Sequence, residues 1–213
     1  RLEREDPVAL AEGMVNLLAQ IQNVQRFGIP CVVCINQFPT DTPEEIAQIQ
    51  EASRAAGAVA AVPSSHFVDG GAGAVALCEA IAAAAELPSQ FHYLYDLSWP
   101  LKQKIEAIAT QIYGASSVYY EPAAEKKLKL YQEHGYGTMA ICMAKTHLSL
   151  SHDPKLIGRP VGYQLPIRNV TLSAGADFIV PLCGEMRTMP GLGSAPGGAN
   201  IDIDADGNVI GLF

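Results

Sequence analysis

Two aromatic side chains follow two apolar runs at matching places. Pro30-Cys31-Val32-Val33-Cys34-Ile35 leads to Asn36 and then to Phe38-Pro39-Thr40-Asp41. Ala58-Val59-Ala60-Ala61-Val62 leads to Pro63 and then to His66-Phe67. If both runs are strands of one open parallel sheet, a ligand binds beyond their carboxyl ends, and Phe38 and Phe67 emerge there together. Such a pair can clamp a flat ring, each face contact being worth about 0.5–1.5 kcal/mol beyond burial. Either ring can equally fold back and cap the helix behind it. Gly70-Gly71-Ala72-Gly73 follows. Before a helix, that composition either holds an anion with backbone amides and the helix dipole or makes an ordinary turn.

Other patterns of chemical interest fail. Neither G-x-x-x-x-G-K-[ST] nor G-x-G-x-x-G occurs in the chain. Asn36-Gln37-Phe38-Pro39 has the place of a guanine-reading N-K-x-D, but glutamine and proline stand for its lysine and aspartate. Asp202, Asp204, Asp206 and Gly207 match the first half of an EF-hand loop, yet Phe213 stands where the bidentate acid is due. That segment reads as a solvated hairpin. The histidines at 66, 92, 134, 147 and 152 show no zinc-ligand spacing, so no metal site is expected. Lys145, His147, His152 and Asp153 share one polar loop, either a plain surface loop or a site in which Lys145 or His147 moves a proton. Cys31 and Cys34 have C-x-x-C spacing, but inside an apolar run they read as small core residues in a reducing compartment, and Cys78, Cys142 and Cys183 are scattered singly.

The elements that must position these residues follow from periodicity and punctuation. Val15, Leu17, Leu18 and Ile21 predict a helix over 7–26, stopped by Gly28. Strand 30–36 follows, then a helix from Thr42-Pro43-Glu44-Glu45 to about Ala56, with threonine as cap and acids in the first turn. Strand 58–62 and a packed helix over 74–86 complete an alternation that signals a parallel sheet with helices on its faces. Helices are expected over 101–113 and 122–134, with a domain boundary at 116–121 between them. Strands at 139–143, 164–170 and 178–180, a long loop over 181–198 and a hairpin turning at Asp206-Gly207 make up the rest. No internal repeat is found. The fold class is therefore α/β: a Rossmann-like parallel-sheet domain with flanking helices over 1–115, followed by a smaller α+β domain over 116–213.

Composition agrees with a globular chain of one large or two small domains: 213 residues, 49% hydrophobic and 17% charged. The net charge of -8 argues against nucleic acid, which demands a basic face. No apolar run approaches the roughly 18 to 20 residues of a membrane span, and no signal peptide opens the chain. A start at Arg1 rather than methionine suggests a piece of a longer protein.

The run 27–41 resembles formate–tetrahydrofolate ligase, as do, in order, Tyr95-Asp96-Leu97-Ser98, the block 109–115, Cys142-Met143-Ala144-Lys145-Thr146 and Ser149-Leu150-Ser151 with Asp153-Pro154. Leu172-Ser173-Ala174-Gly175-Ala176, Thr188-Met189-Pro190-Gly191-Leu192 and the ending from Ile201 to Phe213, similar to the family's C-terminus, extend the resemblance along the whole chain. The resemblance implies an enzyme joining formate to tetrahydrofolate with ATP and Mg, through formyl phosphate, in a cytoplasmic homotetramer. It places the phosphate loop N-terminal to this chain, which alone would be inactive. It also implies a folate site of Phe38, Pro39, Phe67 and His66, shaped by Asn36, Thr40, Asp41, Gly70, Gly71 and Gly73, with Pro160 near the nucleotide base. Phe67 stands where the family usually has tryptophan, and Asp177 where glycine is usual. No general acid or base is assigned. The alternatives are a non-catalytic ligase-like domain that binds folate or supports an oligomer, told apart by G-E-G-K-[ST] upstream, and a generic nucleotide-binding domain, disfavoured by the failed motifs.

Overall fold

The computed structural model describes residues 5–185, 197–207 and 209–211. The resemblance block at Thr188–Leu192 and the final Leu212 and Phe213 lie outside them. The chain is α/β, with helices packed on short parallel and mixed sheets.

Helix α1 (Pro7–Gln25) starts where Asp6 accepts the Ala9 N–H at 3.0 Å and proline supplies the first turn. It ends before Gly28, which turns the chain with a φ of 69°. Strand β1 (Val32–Asn36) and strand β2 (Ala60–Ser64) pair in parallel, Val32 opposite Ala60 and Asn36 opposite Ser64. Between them α2 (Pro43–Ala55) opens on a capping box: Thr42 Oγ1 accepts the Glu45 N–H at 3.3 Å and Glu45 accepts the Thr42 N–H at 3.2 Å. Ile21, Val33, Ile35, Ala58 and Ala61 form the core between this sheet and α1 and α2.

β2 begins two residues later than expected, because Gly57 and Ala58 close α2, with the Ala58 N–H on the Ser53 carbonyl. Pro63, expected just past the strand, lies inside it opposite Ile35. The one-turn α3 (His66–Asp69) and a 3-10 turn over Gly70–Ala74 then lead into α4 (Val75–Ala85). α4 was expected to be packed, yet none of its residues is buried. The 20 residues His66–Ala85 are together long and apolar enough to cross a membrane, a feature that the sequence reading missed. Gly70, at a φ of 59°, breaks their helix in two. The 11 residues of α4 make about 16 Å of continuous helix against a hydrocarbon thickness of about 30 Å.

A second core gathers α5 (Leu101–Gln111), β3 (Ser117–Tyr120), α6 (Pro122–Glu133), β4 (Ala140–Ile141), β5 (Gln164–Ser173) and β6 (Phe178–Cys183). The four strands run in the order β3-β5-β6-β4, with β5 and β6 antiparallel and both outer strands parallel to their neighbours. Leu101, Ile105, Leu128, Leu165, Ile167, Val170, Ile179 and Cys183 are buried together. The 116–121 stretch, expected to be a domain boundary, holds β3, and α5 before it buries its face in this same core. Lys104 is also fully buried. Its ammonium donates to the carbonyls of Gly137 at 2.7 Å and Met139 at 3.0 Å, while burial lowers its pKa.

Asp177, at the turn between β5 and β6, has a φ of 58°, the left-handed region that glycine enters freely. The hairpin β7 (Asp202–Ile203) and β8 (Val209–Ile210) turns through Gly207, whose N–H donates to the Asp204 carbonyl at 3.1 Å. Cys31 and Cys34, both expected in the core, are not both there. Cys183 is buried, Cys31 is half-buried, and Cys34, Cys78 and Cys142 are exposed. Alternation along β1 puts Val33 and Ile35 inside and turns Cys34 out.

Candidate functional site

The two aromatics emerge at the carboxyl ends of the paired strands. Gln37, just past β1, donates its N–H to the Ser64 carbonyl at 3.0 Å, so the two strand ends leave the sheet together. Phe38 is 54% exposed and Phe67 84% exposed, so neither ring has folded back into a core. Phe38 and Pro39 line a groove of about 270 Å³ with Gln37, Ser65, Val68 and Asp69. Phe67, in the single turn of α3, stands outside that groove.

The backbone that presents Phe38 is held locally. Its N–H donates to the Asp41 carboxylate at 2.8 Å, and the Asp41 N–H donates to the Phe38 carbonyl at 3.0 Å. Asn36, Thr40 and Asp41 open on a separate cleft of about 330 Å³, shared with Asp6, Glu45 and the apolar side chains of Ile46 and Ile49. Of the expected site residues, Phe38 and Pro39 thus line the groove, Asn36, Thr40 and Asp41 line the cleft, and His66 and Phe67 line neither.

The glycines act by geometry. Gly70 supplies the positive φ that ends α3, whereas Gly71 has open space where a side chain would grow. A Cβ on Gly73 would meet the Ser65 carbonyl carbon at 2.6 Å and the His66 nitrogen at 2.8 Å. That close approach lets the Gly73 carbonyl accept the Ser65 N–H at 3.1 Å and the Ser64 hydroxyl at 3.2 Å. Ser64 Oγ lies 3.0 Å from His66 Nδ1, and Ser65 Oγ donates to the Asp69 carboxylate at 2.6 Å. Ser64, Ser65, Val68 and Asp69 were not among the expected site residues. The signal was there in Ser64-Ser65-His66, two hydroxyls beside a histidine just past an apolar strand.

The Lys145 loop follows Ala144, which bridges in parallel to Leu182 of β6. A cavity of about 620 Å³ is lined by Lys145, His147, Ser149 and Tyr113 among others, with Ile157 and Gly158 at its side. The Lys145 ammonium donates to the carbonyls of Thr146 and Ser149 and lies 5.0 Å from the centre of the Tyr113 ring. Burial lowers its pKa. With two carbonyls and a ring around it, Lys145 fastens its own loop. The loop carrying Pro160 rests against the turn after α5, with the Gly162 N–H on the Gly114 carbonyl at 2.9 Å. Among the described residues no group of three or more His, Cys, Asp or Glu gathers as metal ligands would.

The sequence model described as formate–tetrahydrofolate ligase matches residues 1–213. The chain is 50% identical over 212 residues to the formate–tetrahydrofolate ligase of Roseiflexus sp. (strain RS-1), covering all of this chain and 38% of that protein. It is 48% identical over 212 residues to that of Herpetosiphon aurantiacus, covering all of this chain and 37% of the relative. Against that of Saccharopolyspora erythraea the identity is 49% over 208 residues, covering 98% of this chain and 37% of the relative. The chain thus spans less than two fifths of the length of these relatives.

Proposed function

The chain belongs to the formate–tetrahydrofolate ligase family, and from that premise we propose that it forms the folate-binding side of such a ligase. The whole protein would join formate to tetrahydrofolate with ATP and Mg, through formyl phosphate, giving 10-formyltetrahydrofolate in a cytoplasmic homotetramer. The observation that carries this reading is the exposure of Phe38 and Phe67, 54% and 84%, at the carboxyl edge of one parallel strand pair. Large rings left in water at a ligand-binding edge are suited to enclosing the two faces of a pterin.

Phosphorylation of formate is assigned to the rest of the protein, since these 213 residues contain no phosphate-loop pattern. The role taken here is positioning. Phe38 and Pro39 would wall the groove that takes the pterin, Phe67 would present a second face from the turn whose Val68 and Asp69 line that groove, and Asp41 fixes the turn from which Phe38 projects. Held there, the folate amine can attack formyl phosphate as a neighbour rather than by collision, with water kept from the acyl phosphate. Pro160 and its loop are proposed to lie near the nucleotide base.

Steady-state kinetics of the full-length ligase test the assignment. Phe38→Ala and Phe67→Ala should raise KM for tetrahydrofolate at least tenfold and leave KM for formate and ATP within twofold. An unchanged tetrahydrofolate KM in both variants sinks it.

A further inference from the structure

One buried hydroxyl joins the glycine turn to the histidine beside Phe67. Ser64 ends β2 and is 1% exposed. Its Oγ lies 3.2 Å from the Gly73 carbonyl oxygen and 3.0 Å from Nδ1 of His66. A carbonyl oxygen can only accept, and a hydroxyl has a single proton to donate. With that proton on Gly73, the Ser64 oxygen faces His66 as an acceptor, so Nδ1 must carry the ring proton. The opposite arrangement would leave the buried Ser64 oxygen and the Gly73 carbonyl oxygen, which also accepts the Ser65 N–H, facing each other at 3.2 Å with no proton between them. In the neutral ring, the lone pair is then left on Nε2.

We infer that Ser64 fixes His66 as the Nδ1–H tautomer, so that Nε2 is a hydrogen-bond acceptor for an N–H group on the edge of a reduced pterin. This rests on the folate reading above. Aromatic clamping grips ring faces and discriminates little between edges, whereas one in-plane acceptor selects a ring that turns an N–H toward it. His66 is exposed and directly precedes Phe67 in α3, at the same strand edge as the rings. The carboxylates of a folate tail need donors, and a neutral Nε2 is not one. Gly73 gains a function as well: only a residue without a Cβ lets its carbonyl reach Ser64 and complete the relay. Ser64 is a positioning residue, acting through His66.

Nitrogen NMR of histidine-labelled protein reads the tautomer directly, and titration with tetrahydrofolate reads its consequence. The wild type should show His66 protonated at Nδ1. Ser64→Ala should shift it toward the Nε2–H form and weaken tetrahydrofolate binding at least tenfold. His66→Gln, whose side-chain oxygen reaches where Nε2 does, should bind within threefold of wild type. His66→Lys, a donor only, should bind at least tenfold more weakly. Both His66 changes are at an exposed position, so they stay informative if Ser64→Ala folds poorly. A wild-type His66 carrying its proton on Nε2 overturns the relay, and His66→Lys binding as tightly as wild type overturns the acceptor role. Nδ1 protonation in a wild type that binds no tetrahydrofolate overturns the pterin assignment and the folate reading beneath it, while the relay stands.

Discussion

The Asp41 carboxylate accepts the Phe38 N–H at 2.8 Å, and the Asp41 N–H returns to the Phe38 carbonyl at 3.0 Å. These two bonds close the turn that aims an exposed ring away from the end of β1. Because a hydrogen bond to a charged acceptor contributes about 1.5–3 kcal/mol and this one is exposed, Asp41→Ala should lower stability by about 1 kcal/mol. Tetrahydrofolate affinity should fall threefold to tenfold, with Asp41→Asn between it and the wild type. Equal affinity in all three would separate the turn from the site. Calorimetric titration and a denaturant curve measure both effects.

Gly73 and Gly71, close in sequence, should answer unequally to the same substitution. The added methyl of Gly73→Ala meets backbone of Ser65 and His66 at 2.6 and 2.8 Å, whereas that of Gly71→Ala meets nothing within 4 Å. Gly73→Ala should cost about 1–3 kcal/mol, as overpacking does, and Gly71→Ala less than about 0.5 kcal/mol. Urea midpoints distinguish them.

Asp177 holds a φ of 58° at the β5–β6 turn, where the left-handed conformation costs an L-residue roughly 1–2 kcal/mol and aspartate somewhat less. Asp177→Gly should therefore stabilise the chain by about 0.5 kcal/mol, net of the added freedom of the unfolded chain. Asp177→Val should destabilise it by more than about 1 kcal/mol, since a β-branched residue at positive φ is an outlier. A melting curve in which glycine and valine act alike would contradict the turn geometry.

The cysteines should separate by reactivity. Cys34, Cys78 and Cys142 are exposed, while burial pushes the Cys183 thiol up to about 12. At about pH 8, a thiol reagent should label the first three quickly and Cys183 only on unfolding. The folded thiol keeps its proton above the value of 9.0 at which the unfolded one loses it. Its contribution to stability is thus full below pH 9 and is lost as pH rises from 9 toward 12. Cys183→Ala should flatten the fall in melting temperature over that range. Rapid labelling of Cys183 in the native protein would place it outside the core.

Local signals carried the helices. Thr42, Pro43 and Glu45 announced the capping box that the structure forms, and Asp206-Gly207 announced the turn of the last hairpin. Features that depend on distant partners were harder to read. Ser117-Val118-Tyr119-Tyr120 has strand-forming residues, but it forms a strand only by pairing with β5, far along the chain. The alanine-rich α4 looked packed because composition records how apolar a helix is and not what lies against it. Phe38 and Phe67 were placed at one edge by the parallel-sheet argument alone, and the paired ends of β1 and β2 put them there. The Ser64 hydroxyl bridge to Gly73 escaped notice because nine residues and a 3-10 turn bring those two atoms together.

Tetrahydrofolate titration of the wild type, Phe38→Ala and Phe67→Ala by ligand and tryptophan fluorescence tests the aromatic clamp most directly. Both rings are exposed, so the variants should melt as the wild type does. The expected result is saturable wild-type binding and at least tenfold weaker binding in each variant, about 1.4 kcal/mol or more. A well-folded wild type that shows no binding at millimolar tetrahydrofolate, or two alanine variants that bind as tightly as wild type, would contradict the clamp.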